Sequence, residues 1–244
     1  MTPTAPALPR RLAAEAIGTA VLTAVVVGTG IRATALNADG GVRLLAGATA
    51  SALALVVLIT VLGPVSGGHF NPLVSAAAWW SGRRDPGGPT LRGLLAYAAA
   101  QLAGAVAGTG LANAMFEHPV LELSGQRRDG LPLRLAEAVA TGVLILLVFG
   151  LLRGGRGALV PPAVGGWTGA ACWATSSGGF ANPAVTLGRM FTDSAGGIAP
   201  GSVPGFVLAQ LVGAVAGSAL VTALFGRPAR TAVLPDDARE LIAG

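Results

Sequence analysis

Charge is what this sequence has least of. Only 11% of its 244 residues are Asp, Glu, Lys or Arg, where a soluble domain carries about 25%. So few charges cannot clothe a water-facing surface. Lysine is absent: all 16 basic residues are arginines. They stand singly or in pairs between apolar blocks, so the net charge of +5 builds no basic patch. That excludes a nucleic-acid partner, which needs clustered cations. The one cysteine, Cys172, leaves no intrachain disulfide. No metal-ligand cluster, paired carboxylate or nucleophile beside a base stands out. The sequence therefore predicts neither an enzyme nor a metal or cofactor site.

Long apolar runs fill the space. The chain is 52% hydrophobic, with a mean hydropathy of +0.67. Six blocks are long enough to cross a bilayer, which takes roughly 20 helical residues. They lie near 11–31, 42–62, 91–112, 133–152, 157–176 and 203–225. All are rich in Gly and Ala, and small residues let membrane helices approach closely. Two further apolar stretches, 71–80 and 182–191, are too short to span. Each opens on Asn-Pro, an N-cap residue followed by the residue best suited to a first helical turn. Both read as half-helices.

The two halves of the chain repeat in order. Leu12-Ala-Ala-Glu15 matches Arg134-Leu-Ala-Glu137 when the glutamates are aligned. Gly67-Gly-His-Phe-Asn71-Pro-Leu-Val74-Ser75 matches Gly178-Gly-Phe-Ala-Asn182-Pro-Ala-Val185-Thr186, and Gln101 matches Gln210. Each half holds three spanning blocks, an odd number, so the second half must sit upside down relative to the first. The expectation is an all-α membrane protein of six transmembrane helices and two re-entrant half-helices in an inverted 3+3 repeat. It forms a single channel domain over 1–244, with repeats at about 10–116 and 133–226 and a tail at 227–244. More arginines fall on the side of the termini than on the other side, which puts both termini in the cytoplasm.

In this topology the half-helix N-termini meet near the midplane. Each carries partial positive charge and unpaired N–H donors, and Asn71 and Asn182 add amide donors. Cations are repelled there, and a central water is oriented against a proton wire. A neutral hydroxylic solute accepts those hydrogen bonds.

Ser66-Gly-Gly-His-Phe-Asn71-Pro-Leu-Val74 and Phe180-Ala-Asn182-Pro-Ala184-Val-Thr resemble the two pore motifs of the aquaporin (major intrinsic protein) family. The resemblance covers about residues 10–226. It implies an aquaporin-like fold in the cell's inner membrane, with the lipid bilayer as surroundings, one pore per protomer and a homotetramer. The pore motif is then Asn71, Pro72, Leu73, Asn182, Pro183 and Ala184. Glu15 and Glu137 look like the family's buried helix glutamates. Each is expected to hold free N–H groups of a re-entrant loop, with His69 a fixed lining residue beside the first motif.

Two departures matter. Leu73 stands where Ala is usual. Val185 stands where most members carry the Arg of the outer selectivity filter. Counting without gaps from the asparagines puts the other filter positions at Ser51, Ala170 and Gly179. That filter is wide, uncharged and without aromatic walls. Arg189, one turn past Val185, is the candidate for a charged pore mouth; the other reading pairs it with Asp193. The string from Asn182 to Asp193 is similar to a bacterial arsenic-associated subgroup. These features predict a passive channel for small neutral solutes: water, glycerol-like polyols, and arsenite or methylated arsenicals. A strict water pore and a coupled secondary transporter are the alternatives.

Overall fold

The computed structural model describes residues 6–36, 39–85 and 88–226. The predicted tail at 227–244 lies outside the described residues. Among the described residues the regular structure is helical throughout. It comprises α1 (Leu8–Ala35), α2 (Gly40–Ser66), α3 (Pro72–Gly82), α4 (Leu91–Met115), α5 (Leu131–Arg153), α6 (Val160–Ala174), α7 (Pro183–Gly188) and α8 (Val203–Phe225).

Local chemistry sets the helix ends. Asp39 caps α2 by accepting from the Val42 N–H at 3.0 Å, and Thr90 caps α4 through the Gly93 N–H at 3.0 Å. α2 stops at Gly67, whose left-handed φ of 97° suits glycine. Proline occupies the first turn of α1, α3, α5, α6, α7 and α8.

Five helices are long and apolar enough to cross a membrane: α1, α2, α4, α5 and α8, the last with its preceding turn. The protein is a multi-pass integral membrane protein. The block predicted at 157–176 is shorter than its neighbours. It comprises a 3-10 turn at Gly157–Leu159 and 15 α-helical residues. At about 1.5 and 2 Å per residue, the two together still cover roughly 28 Å. The second half-helix is also shorter than predicted. It ends as an α-helix at Gly188 and tightens into a 3-10 turn over Arg189–Phe191.

Helix packing follows the repeat. α1 packs on α4, and α5 packs on α8. At the first interface Gly104 and Gly108 lie against the backbone of Ala16 and Ala20. At the second, Gly213 and Gly217 lie against the backbone of Ala138 and Gly142. A Cβ at any of the four would run into a carbonyl of the facing helix. Bilayer lipid is as apolar as leucine, so this close backbone contact is what holds such helices together. Large apolar side chains such as Leu53, Val57 and Val61 on α2 and Leu208, Val212 and Val215 on α8 stay exposed, as a lipid-facing surface requires.

Candidate functional site

The two Asn-Pro strings meet inside the bundle. Asn71 and Asn182 sit in extended backbone at the N-caps of α3 and α7. Asn71 Oδ1 accepts from the Leu73 N–H at 2.9 Å, and Asn182 Oδ1 accepts from the Ala184 N–H at 3.0 Å. Their amides then cross over. Asn71 Nδ2 donates to the Ala181 carbonyl at 2.8 Å, and Asn182 Nδ2 donates to the Phe70 carbonyl at 2.8 Å. An amide nitrogen carries two hydrogens. One is used in each crossing, and both asparagines line the central cavity. Leu73 is buried in the core rather than in the cavity wall.

Each loop reaches that point through a strained turn. Gly67, Gly68 and Phe70 have positive φ, as do Gly178, Gly179 and Ala181. Phe70 at 47° and Ala181 at 48° are costly for residues bearing a Cβ. Both are fully or nearly fully buried. The compensation comes from two carboxylates in α1 and α5. Glu15 accepts from the His69 N–H at 3.0 Å, the Phe70 N–H at 2.7 Å and Ser66 Oγ at 2.6 Å. Glu137 accepts from the Phe180 and Ala181 N–H groups, both at 2.9 Å. Gln101 and Gln210 complete each network. They donate to Glu15 and Glu137 at 2.7 Å and to Ser75 and Thr186 at 2.9 Å. The sequence marked both glutamines as repeat matches without giving them a role. Their equal offset from the packing glycines was the available signal.

His69 lines the cavity, with Nδ1 3.0 Å from Ser75 Oγ and its ring tilted against Tyr97. The Tyr97 hydroxyl donates to the Ser66 carbonyl at 2.8 Å and accepts from Arg11 Nε at 2.7 Å. The first re-entrant loop is thus held from its own side of the bundle.

One cavity of about 820 Å³ has lining residues at both ends of the bundle. At the end near the termini these include Thr60, Leu152 and Pro161; at the other end they include Thr34, Arg43 and Gly196. Ser51, Gly179 and Val185 line it, and Ala170 does not. Ala170 is exposed on the outer face of α6, with Gly166 and Trp173. The gap-free count is therefore displaced here. One residue turns a helical side chain by about 100°, and the stripe Val164, Trp167, Thr168, Ala171 and Cys172 faces the cavity instead. The reason lies in packing. Gly165 and Gly169 press α6 onto Ala48 and Ala52 of α2, fixing its rotation. Ala171 takes the place opposite Gly179, where an added Cβ would come within 2.9 Å of the Ala171 Cβ. Trp167 donates through Nε1 to the Ala140 carbonyl at 2.9 Å.

Arg189 also lines the cavity, one turn outward of Val185. It does not pair with Asp193, whose carboxylate accepts from the Gly125 N–H at 2.9 Å. Instead Arg189 Nε donates to the Gly196 carbonyl, and the guanidinium lies 3.5 Å from the centroid of the Phe180 ring. A second arginine joins it there, one that the sequence did not single out. Arg128, from the α4–α5 connection, donates through Nε to the Gly197 carbonyl at 2.8 Å and through Nη2 to the Ala195 carbonyl at 3.0 Å. Burial pulls the Arg128 guanidinium below its ordinary pKa, and the charge of Glu137 opposes that fall.

Two half-helices meeting at paired asparagines, inside a cavity whose lining residues reach both ends of a membrane bundle, define a channel. The comparisons with known proteins agree. The model of the major intrinsic protein family matches residues 4–165 and 133–240. The chain belongs to that family, and it is a channel rather than an enzyme. It is 49% identical over 223 residues to the aquaglyceroporin AqpS of Rhizobium meliloti (strain 1021), covering 91% of this chain and 93% of that one. It is 32% identical over 181 residues to nodulin-26 of Glycine max, covering 68% of this chain and 60% of that one. The X-ray structure of the aquaglyceroporin from Plasmodium falciparum superposes with a TM-score of 0.65 at 20% identity, covering 96% of this chain and all of that one. That likeness bears on the fold alone.

Proposed function

We propose that this channel passes small neutral solutes passively: water, glycerol-sized polyols and neutral arsenite. The single observation that carries the reading is the wall at the outer end of the pore. Val185, Gly179, Ser51 and Ala171 are small or apolar residues around a cavity of about 820 Å³. No guanidinium sits at position 185 itself; those of Arg128 and Arg189 line the cavity beyond it, held by backbone carbonyls. The 49% identical relative is named an aquaglyceroporin, which supports passage of glycerol. Arsenite enters the reading because it is a neutral polyhydroxyl solute of similar size. The pore asparagines Asn71 and Asn182 offer a hydroxylic solute their remaining amide hydrogens, while Glu15 and Glu137 keep the loops in place. We assign the chain to the cell's inner membrane with both termini cytoplasmic, as a homotetramer with one pore per protomer.

The test is stopped-flow light scattering on proteoliposomes with water, glycerol and neutral arsenite. Val185→Arg places a guanidinium beside Gly179 and Ser51. It should cut glycerol and arsenite flux about tenfold or more, the effect of roughly 1.4 kcal/mol on the barrier, and reduce water flux less. Equal fluxes in wild type and variant would refute the wide filter. Accumulation of solute driven by a pH or sodium gradient would instead favour a coupled transporter.

A further inference from the structure

The outer mouth holds two guanidinium groups with no carboxylate of their own. Arg128 and Arg189 both line the cavity and both approach the ring of Phe180, at 5.3 and 3.5 Å from its centroid. Their guanidinium carbons are therefore less than about 9 Å apart, roughly one Debye length at physiological salt. Among the described residues the one ion pair is Arg127 with Asp129, on the exposed surface. Asp193 is engaged by the Gly125 N–H. Asp129 accepts from Ser202 Oγ at 3.0 Å. Glu137, whose charge reaches both guanidinium groups, spends its oxygens on Phe180, Ala181 and Gln210.

Both cations are instead fixed by neutral groups. The carbonyls of Ala195, Gly196 and Gly197 take Arg128 Nη2, Arg189 Nε and Arg128 Nε in turn. That segment is itself pinned. The Gly197 N–H donates to the Ser194 carbonyl at 2.8 Å, the Ile198 N–H to the Arg189 carbonyl at 3.2 Å, and the Ala199 N–H to the Gln126 carbonyl at 2.7 Å. A guanidinium has five N–H donors in a fixed fork. The carbonyls use the minority, so most donors of both forks are left over at the cavity wall. Holding two like charges together, part-buried and without a counter-ion, costs free energy that an anion in the cavity would recover.

We infer that Arg128, Arg189 and the Phe180 ring form a binding subsite at the outer mouth for small oxyanions, with the forks of the two arginines matching the paired oxygens of a carboxylate, sulfonate or phosphonate group. The proposal rests on the channel reading above and extends it. The mouth takes monoanionic oxyacids most strongly, and neutral polyols use the same donors more weakly. Anion occupancy then competes with neutral solute for entry.

The full chain in proteoliposomes supplies the test. Glycerol flux is measured by stopped-flow light scattering in sodium methanesulfonate and in sodium chloride, matched in osmolarity and ionic strength. Methanesulfonate stays monoanionic and presents paired sulfonate oxygens, whereas chloride answers the charge alone and has no paired oxygens for a fork to match. Half-occupancy of the mouth lowers the flux about twofold. The ratio of the two fluxes should return to about one in Arg128→Gln and in Arg189→Gln, and fall between in the lysine variants, which keep the charge and lose the fork. Size-exclusion profiles check that each variant is folded. Calorimetric titration of methanesulfonate into the detergent-solubilised protein reads binding directly. A wild-type flux ratio of one with no saturable heat overturns the proposal, and so does inhibition or heat that survives in both glutamine variants. Absence of glycerol flux in either salt counts against the permeability reading alone, and the titration then decides the anion site by itself.

Discussion

Replacing Glu137 by glutamine probes how the second pore loop is held. Its carboxylate receives the Phe180 N–H on one oxygen and the Ala181 N–H and Gln210 Nε2 on the other, all at 2.7–2.9 Å. The side chain has no exposure to solvent. Glutamine keeps the shape but turns one acceptor into a donor, which then faces a donor. A hydrogen bond to a charged group contributes about 1.5–3 kcal/mol, and an orphaned buried donor costs about 1–3 kcal/mol. One bond is lost and one donor orphaned, so roughly 2.5–6 kcal/mol is expected. For a chain of this size about 1 kcal/mol moves the melting temperature by roughly 2–4 °C. The apparent Tm of the detergent-solubilised protein should therefore fall by about 5–24 °C. Glycerol flux per folded channel should fall with it, because the Ala181 carbonyl accepts from Asn71 Nδ2 and its position sets the pore centre. A Tm within about 1 °C of wild type would refute the anchoring role. A fall in Tm with unchanged flux would mean that the anchor stabilises the loop without shaping the pore.

The fold was legible in this sequence because its constraints are local and repeated. Six apolar blocks and two Asn-Pro strings fix the helix count. The Gly-Gly strings entered only as repeat matches, and the structure supplies their reason: Gly67, Gly68, Gly178 and Gly179 all have positive φ. Glu15 and Glu137 stood out because a carboxylate in an apolar block needs partners. The outer wall of the pore was harder to read. Ala170 was placed by counting backward across the connection from α6 to α7, and a count has no access to helix rotation. The contact of Gly165 and Gly169 with α2 decides that rotation, and Gly and Ala occur on every face of these helices. Arg128 was illegible for a different reason. It lies in a connection without periodicity, one position from Arg127, which is exposed. Only the path of the chain separates a cavity arginine from a surface one. The absence of an arginine at position 185 was the sequence's one hint of a cation supplied from elsewhere, and it pointed to Arg189 alone.

Two further substitutions test the packing. Gly108→Ala on α4 puts a Cβ within 2.9 Å of the Ala20 Cα, whereas Gly166→Ala on α6 meets nothing within 4 Å. The first should lower Tm by the equivalent of about 1–3 kcal/mol. The second should leave it unchanged or raise it by up to about 1 kcal/mol through helix propensity; equal effects would sink the close-contact account. Thr141→Val addresses an asymmetry between the halves. Thr19 Oγ1 donates to the Glu15 carbonyl at 2.8 Å, while the matching Thr141 Oγ1 is buried with no partner in the structure. Removing a hydroxyl that has a partner loses a bond worth about 1 kcal/mol, and removing one that has none loses only its desolvation cost. Thr141→Val should therefore be neutral or stabilising by up to about 1 kcal/mol, and Thr19→Val destabilising by a similar amount. The two residues occupy matching places in α1 and α5, so composition and depth are controlled within one molecule. Equal losses of Tm in the two variants would show that Thr141 has a partner after all, and that the two halves share this bond as they share the crossed asparagines.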